Sequence, residues 1–285
     1  MPRAFELLPV LCLLALLGCA PSRSHRPVGE TPPDDLIEVS STEDPGRPES
    51  EPAAAEPEPL PRSTAMRLVE LTVPDFLPAV VALPEHGADL PLVISAHGAG
   101  GNPEWQCQHW ARIVAGRAVV LCPRGRRISM RAGEDGMFYY PDHFALEREF
   151  VAMLAAARRE FGARLSKRGG IYTGFSQGAT MGALMIVDHA AEFPFLLLIE
   201  GASAEFSPRR ARRFAEGGGK SVAFVCGVKH CASGAERMAA LLRKAGLEAR
   251  AEYVPRGGHT DDGAVGERAS AVFEMMLAEL SARAE

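Results

Sequence analysis

The stretch that decides the fold spans residues 171–182 and reads IYTGFSQGATMG. Its first five residues predict a short buried strand, and the residues after Ser176 predict a helix. Gly174 and Gly178 flank the serine and relieve side-chain clashes in a sharp turn. A G-x-S-x-G sequence between a strand and a helix is typical of a nucleophile elbow. The pattern predicts that Ser176 is a nucleophile, and a glycine-rich turn with an uninvolved serine is the alternative interpretation.

Around this stretch, short apolar strands alternate with helices from residue 66 onward. Strands are predicted at residues 67–73, 77–83, 92–96, 118–121, 171–175, 195–199, 222–226 and 249–254. Helices are predicted at residues 104–114, 144–161, 176–189, 208–214, 235–245 and 264–282. The first two strands are expected to pair antiparallel through Pro74-Asp75. This alternation is typical of an α/β domain with a mostly parallel central sheet and helices on both faces.

A second glycine-rich motif, HGAGGN at residues 97–102, directly follows a predicted strand. Glycines at such a position let backbone N–H groups converge on a negatively charged oxygen. Ala99 and Gln177 are the predicted N–H donors, and His97 is expected to brace the loop rather than react. A purely structural turn is the alternative interpretation.

The two motifs together resemble the carboxylesterase/phospholipase branch of the α/β-hydrolase superfamily, over nearly all of residues 66–285. That branch carries a His-Gly-x-Gly oxyanion loop and a Gly-Phe-Ser-Gln-Gly elbow. The resemblance implies an α/β-hydrolase fold and ester hydrolysis through an acyl-enzyme, with no cofactor and no metal. It also implies that His259, which follows Gly257-Gly258 after the last predicted strand, is the catalytic base.

The third member of a Ser-His-acid triad is where the sequence departs from this family. The family's aspartate usually lies in a Gly-x-x-Asp turn after the strand at residues 222–226, and this chain has His230 at that position. Glu200, at the end of the preceding strand, is the preferred candidate for the acid. Asp261, Asp262 and a serine–histidine dyad without an acid are the alternatives.

Four cysteines lie within the predicted domain. An even number in an exported protein suggests two disulfides, and sequence proximity favours Cys107–Cys122 and Cys226–Cys231. Four free thiols are an alternative. A metal site of Cys226, His230 and Cys231 is another, although no fourth ligand stands at a zinc-like spacing.

The N-terminal part of the chain predicts export. Residues 1–18 carry a short apolar run and read as a signal peptide. Residues 16–19, LLGC, resemble a bacterial lipobox, which implies a lipidated Cys19 and an outer-membrane lipoprotein where the source has two membranes. A plain secretory signal is the alternative. Residues 19–65 predict a disordered linker, because proline and glutamate dominate and little apolar surface can be buried.

The composition limits the kinds of molecule that this protein is expected to bind. The net charge of −5 gives no indication of nucleic-acid binding, and much of the acidity lies in the linker. We expect a monomer that meets a membrane only through its lipid anchor. Tyr139 and Tyr140 are predicted to bind a small or polymeric ester substrate, although aromatic residues there are as often part of a core. An inactive binding protein of the cell envelope and a peptidase are the competing functions.

Overall fold

A computed structural model of the protein describes residues 65–128 and 136–283. The predicted signal peptide, Cys19 and the linker up to residue 64 lie outside these ranges. Within them, no helix combines the length and the apolar character needed to cross a membrane.

Eight strands of the described chain form one sheet in the order β1-β2-β4-β3-β7-β8-β9-β10. Their bounds are β1 Met66–Leu71, β2 Ala79–Pro84, β3 Leu90–Ala96, β4 Val119–Cys122, β7 Leu165–Phe175, β8 Phe195–Ile199, β9 Ser221–Cys226 and β10 Glu248–Tyr253. A small antiparallel ribbon pairs β5 (Arg126–Arg127) with β6 (Phe138–Tyr139). In the large sheet, β2 runs antiparallel to both of its neighbours, β1 and β4. The other six strands, β4, β3, β7, β8, β9 and β10, run parallel to one another. The predicted mostly parallel sheet is therefore confirmed.

Helices cover both faces of this sheet, as the alternation predicted. Their bounds are α1 Pro103–Val114, α2 His143–Phe161, α3 Gln177–Met185, α4 Pro208–Glu216, α5 Lys229–Lys244 and α6 Gly263–Ala282. Helices α1 and α6 share one apolar layer, in which Trp110 packs edge-on against Phe273 with ring centroids 5.3 Å apart. The other four helices share the second layer with the opposite face of the sheet.

The start of α5 differs from the sequence prediction. The helix begins at Lys229, six residues before the predicted start at residue 235. Val228 occupies the N-cap position and makes no side-chain capping bond, so no capping residue marks the helix start in the sequence. Gly234 lies inside this helix, where it packs closely against Ser203. A Cβ at this position would lie 2.5 Å from the serine Cβ, which explains the glycine within the helix.

We expect Gly178→Ala to destabilise the fold. A Cβ at Gly178 would lie 2.2 Å from the carbonyl oxygen of Ala96, so β3 and α3 must separate. Overpacking of this kind costs about 1–3 kcal/mol, measurable as a lower urea midpoint. Gly162→Ala is the matched control, since Gly162 has helical dihedral angles and open space around it. That substitution is expected to stabilise the fold by about 0.4–1 kcal/mol. Equal midpoints for the two variants would contradict this packing argument.

Candidate active site

Ser176 lies at the sharp turn between β7 and α3. Its backbone has φ 50° and ψ −109°, a conformation that non-glycine residues rarely adopt. The turn is fixed because the Ser176 N–H donates to the carbonyl of Ile199 at 2.8 Å. This strained turn lifts the serine side chain above the carboxyl edge of the sheet.

Ser176, His259 and Glu200 form a continuous chain of hydrogen bonds. The serine Oγ lies 2.9 Å from His259 Nε2, and His259 Nδ1 lies 3.0 Å from a carboxylate oxygen of Glu200. With the ring proton on Nδ1, the imidazole donates to Glu200 and accepts from the serine hydroxyl. This arrangement lets the histidine remove the serine proton while the carboxylate orients the ring.

Glu200 is held rigidly in a buried position. It follows β8 at a positive φ of 52°, and its side chain is 1% exposed. Its second carboxylate oxygen accepts hydrogen bonds from the backbone N–H groups of Gly227 and of Val228, the latter at 3.0 Å. A buried carboxylate is costly unless its oxygens are satisfied, and here both oxygens have partners.

The other candidates for the acid lie elsewhere. His230 is exposed in the first turn of α5, and Asp262 is the N-cap residue of α6. Asp261 lies on the wall of a groove beside the oxyanion loop. Among the described residues, Glu200 supplies the carboxylate that hydrogen bonds to His259.

The loop at residues 97–101 lies directly beside the serine. A Cβ on Gly98 would be 3.0 Å from the Phe175 ring and 3.2 Å from the Ser176 Cβ, so a larger residue there would require these neighbours to move. The N–H groups of Gly100 and Gly101 are occupied, donating to Phe138 and Gly98 at 2.8 and 2.9 Å. The N–H groups of Ala99 and Gln177 donate to no acceptor within the described ranges, which leaves both available to an oxygen bound next to Ser176.

His97 braces this loop from below. Its ring nitrogens lie 2.7 Å from the carbonyl of Gly98 and 2.9 Å from that of Arg124, and a neutral ring can donate to one of them. Burial lowers the pKa of the His97 imidazole below its ordinary value of 6.5, although both carbonyls oppose that shift. The ring also stacks on Tyr140 at 4.8 Å.

Tyr140 supports the loop from a buried position. Its hydroxyl donates to the carbonyl of Pro123 at 3.0 Å, and its backbone N–H donates to the Gln177 side chain at 2.8 Å. The ring is 1% exposed, so it does not face bound substrate. Tyr139 is half-buried in the β5–β6 ribbon, where it pairs with Arg126. The structure thus places Tyr140 in a supporting position instead of the predicted substrate-contacting one.

A groove of about 370 Å³ leads away from the oxyanion loop. One wall is the face of α1 that carries Trp105, Gln106, His109 and Arg112, and the Asp261–Asp262 segment forms another. Trp105 is 68% exposed there. The three polar residues of α1 were not among the predicted site residues, although their i, i+3, i+6 spacing directly after the glycine loop was a usable signal.

The cysteines pair as predicted, Cys107 with Cys122 and Cys226 with Cys231. The sulfurs of the second pair and a carboxylate oxygen of Glu200 lie within 4.8 Å of one another. Because both sulfurs are in a disulfide, they are not thiolate ligands, and this cluster does not fit a metal site.

Comparison with solved structures shows the α/β-hydrolase fold expected from the motifs. Esterase PE8 superposes with a TM-score of 0.57 at 19% identity, over 73% of this chain and 99% of its own. TT1662 from Thermus thermophilus gives a TM-score of 0.56 at 18% identity, over 75% of this chain and 98% of its own. An acylaminoacyl peptidase, solved with Z-Gly-Gly-Phe-chloromethyl ketone, superposes with a TM-score of 0.53 at 14% identity. The match covers 75% of this chain and 41% of the peptidase. Neither a protein-family model nor a curated protein matches the chain.

We expect buried His97 to make the fold less stable in acid. The unfolded chain binds a proton at His97 near pH 6.5, whereas the folded chain binds it only at lower pH, so stability falls as the pH drops below 6.5. His97→Gln removes this contribution, and its urea midpoint is expected to fall less between pH 7 and pH 5 than that of the wild type. His86→Gln, which changes an exposed histidine, is the control and should match the wild type. An identical pH dependence in His97→Gln would refute the role given to burial.

Proposed function

We propose that this protein is a serine hydrolase that cleaves carboxylic esters through an acyl-enzyme. The observation that carries the proposal is the Ser176–His259–Glu200 hydrogen-bond chain, with spacings of 2.9 and 3.0 Å, beside the backbone N–H groups of Ala99 and Gln177. Hydrolysis of this kind needs a nucleophile, a base and an oxyanion site, and no cofactor.

The reaction begins when Ser176 Oγ attacks the ester carbonyl carbon and its proton passes to His259 Nε2. The carbonyl oxygen becomes an oxyanion, which accepts hydrogen bonds from the N–H groups of Ala99 and Gln177. Glu200 stabilises the imidazolium that forms. When the tetrahedral intermediate collapses, His259 returns the proton to the departing alcohol oxygen and an acyl-serine remains. A water then attacks the acyl group with His259 as its base, releasing the carboxylic acid and restoring Ser176.

Two competing functions receive less support. A binding protein that had lost activity has no need for a serine, a histidine and a carboxylate in hydrogen-bonding order, with Glu200 buried for that purpose. A peptidase is suggested by one neighbour, the acylaminoacyl peptidase, but this chain aligns with only 41% of it. The esterase PE8 is matched over nearly its whole length, which favours ester substrates.

The groove favours an ester of a neutral polyhydroxylated alcohol, such as an acylated sugar. His259 donates the proton to the leaving oxygen, so the alcohol part lies on the side of His259, where Asp261 and Asp262 border the groove. Arg112 on α1 offsets part of their negative charge, and polar side chains on both walls can bind hydroxyl groups. The exposed Trp105 offers an apolar face for a sugar ring to stack against.

Export to the cell envelope belongs to the same proposal. The lipobox-like residues 16–19 and the signal-like residues 1–18 indicate a lipoprotein. The two disulfides support it, because such bonds persist in oxidising compartments outside the cytosol. A tethered esterase would act on acylated material at or beyond the membrane surface.

Removal of the nucleophile or the acid tests the reaction. Ser176→Ala is expected to lower kcat for p-nitrophenyl acetate by about 10⁴-fold or more and to abolish labelling by a fluorophosphonate. Glu200→Gln is expected to lower kcat by about 100-fold or more, because the imidazolium loses its carboxylate partner. Ser281→Ala and Glu236→Gln change exposed residues remote from the site and should leave kcat unaltered. A folded wild type that neither hydrolyses esters nor labels would end the proposal.

Trp105 tests the substrate class. Trp105→Ala is expected to raise KM for an acetylated disaccharide about 10-fold, the loss of roughly 1.4 kcal/mol of stacking. Hydrolysis of ethyl acetate, whose alcohol is too small to reach the tryptophan, should change less than two-fold. Phe144→Ala removes another exposed aromatic ring, on α2, and is the matched control. If Trp105→Ala affects both esters equally, the sugar interpretation is wrong even though ester hydrolysis stands.

A further inference from the structure

The Cys226–Cys231 disulfide encloses a turn of four residues at the carboxyl edge of the sheet. Cys226 is the last residue of β9, and Cys231 lies in the first turn of α5. Both cysteines are buried. The disulfide therefore ties the end of a central strand directly to the start of the helix that follows it.

The enclosed turn supplies both hydrogen bonds to the carboxylate oxygen of Glu200 that does not contact His259. The donors are the backbone N–H groups of Gly227 and Val228. Their direction is set entirely by the path of the main chain between the two cysteines. Any movement of this turn changes the position of the carboxylate that contacts His259.

The same turn also contacts the loop that carries the histidine. Gly227 forms an isolated antiparallel bridge with Gly258, the residue before His259. A Cβ on Gly227 would lie 2.4 Å from the Gly258 carbonyl oxygen, so the two backbones are in close contact. One short turn thus donates hydrogen bonds to the acid and lies against the loop that carries the base.

The helical end of this turn has no side-chain cap. Val228, at the N-cap of α5, makes no side-chain capping bond, and Val228, Lys229 and His230 are exposed. Helix termini without caps fray readily. Within the described residues, the covalent bond between Cys226 and Cys231 replaces the cap as the constraint on the first turn of α5.

We propose that the Cys226–Cys231 disulfide positions the acid of the triad, so that its loss lowers catalysis through Glu200. This inference rests on the proposed esterase function. The effect is distinct from stabilisation of the fold. The two cysteines are 5 residues apart, whereas Cys107 and Cys122 are 15 apart, and a longer loop constrains the unfolded chain more. Loss of Cys107–Cys122 should cost more stability, and loss of Cys226–Cys231 more activity.

The two disulfides are each other's matched controls. In the full chain, C226A/C231A is expected to lower kcat for p-nitrophenyl acetate at least 10-fold, with KM changed less than two-fold, at a temperature where every variant is folded. C107A/C122A, which removes the bond between α1 and β4, is expected to keep kcat within two-fold while its Tm falls at least as far. Equal losses of kcat in the two variants, or an unchanged kcat in C226A/C231A, would overturn the inference.

A double-mutant comparison shows whether the disulfide acts through Glu200. In a Glu200→Gln background, C226A/C231A is expected to lower kcat less than two-fold further, because the carboxylate it positions is already gone. A further loss of 10-fold or more would mean that the disulfide acts on another part of the site, and the assignment to Glu200 would fall.

A spectroscopic measurement separates this inference from the proposed function. The His259 Nδ1 proton, hydrogen bonded to a buried carboxylate, is expected to give a far-downfield proton NMR signal in the wild type, which its loss in Glu200→Gln would identify. C226A/C231A is expected to shift or broaden this signal, and C107A/C122A to preserve it. Should the wild type hydrolyse no ester, the proposed function fails, and this signal alone decides the positioning role. An unchanged signal in C226A/C231A contradicts that role.

Discussion

The site depends on the register of three neighbouring parallel strands. Phe175 of β7 pairs with Ile199 of β8, and Ile199 pairs with Val225 of β9, so β7 and β8 end at the same level and β9 ends one residue further on, at Cys226. The residues that follow these three paired positions are Ser176, Glu200 and Cys226. Because parallel strands place their carboxyl ends at one edge, the nucleophile, the acid and the turn that holds the acid are brought side by side by backbone hydrogen bonds alone. A shift of one strand by a residue would separate them.

The parts of the site that could be predicted from the sequence are those that short segments of the chain determine. The turn at Ser176 and the glycine loop after β3 each depend on a few consecutive residues, so their patterns predict local structure directly. Glu200 could be chosen because it ends a strand next to that of the serine. The burial of Tyr140 was beyond such reasoning, since it arises where the Gln177 side chain and the His97 ring pack against a distant segment. The early start of α5 was missed for a related reason, because a disulfide takes the place of a capping residue.

A layer of buried polar groups supports the oxyanion loop from the side opposite the substrate. Glu149 accepts hydrogen bonds from the backbone N–H groups of Arg124 and Gly125, and the Arg124 carbonyl lies against His97. The Arg124 guanidinium is buried in an ion pair with Glu104 at 2.6 Å, so it is occupied within the protein instead of facing an anionic substrate. The hydrogen bonds through Arg124, Gly125 and Glu149 therefore support the loop beside Ser176, although that loop consists largely of glycine.

The position of Glu200 shows how neighbouring strands offer the acid more than one location. The resemblance places the acid of related hydrolases in the turn after β9, whereas here it ends β8, and that turn instead donates N–H groups to it. The two locations lie close together because β8 and β9 are adjacent and in register. This chain uses the one at the end of β8, where the neighbouring turn can satisfy the second oxygen of the carboxylate.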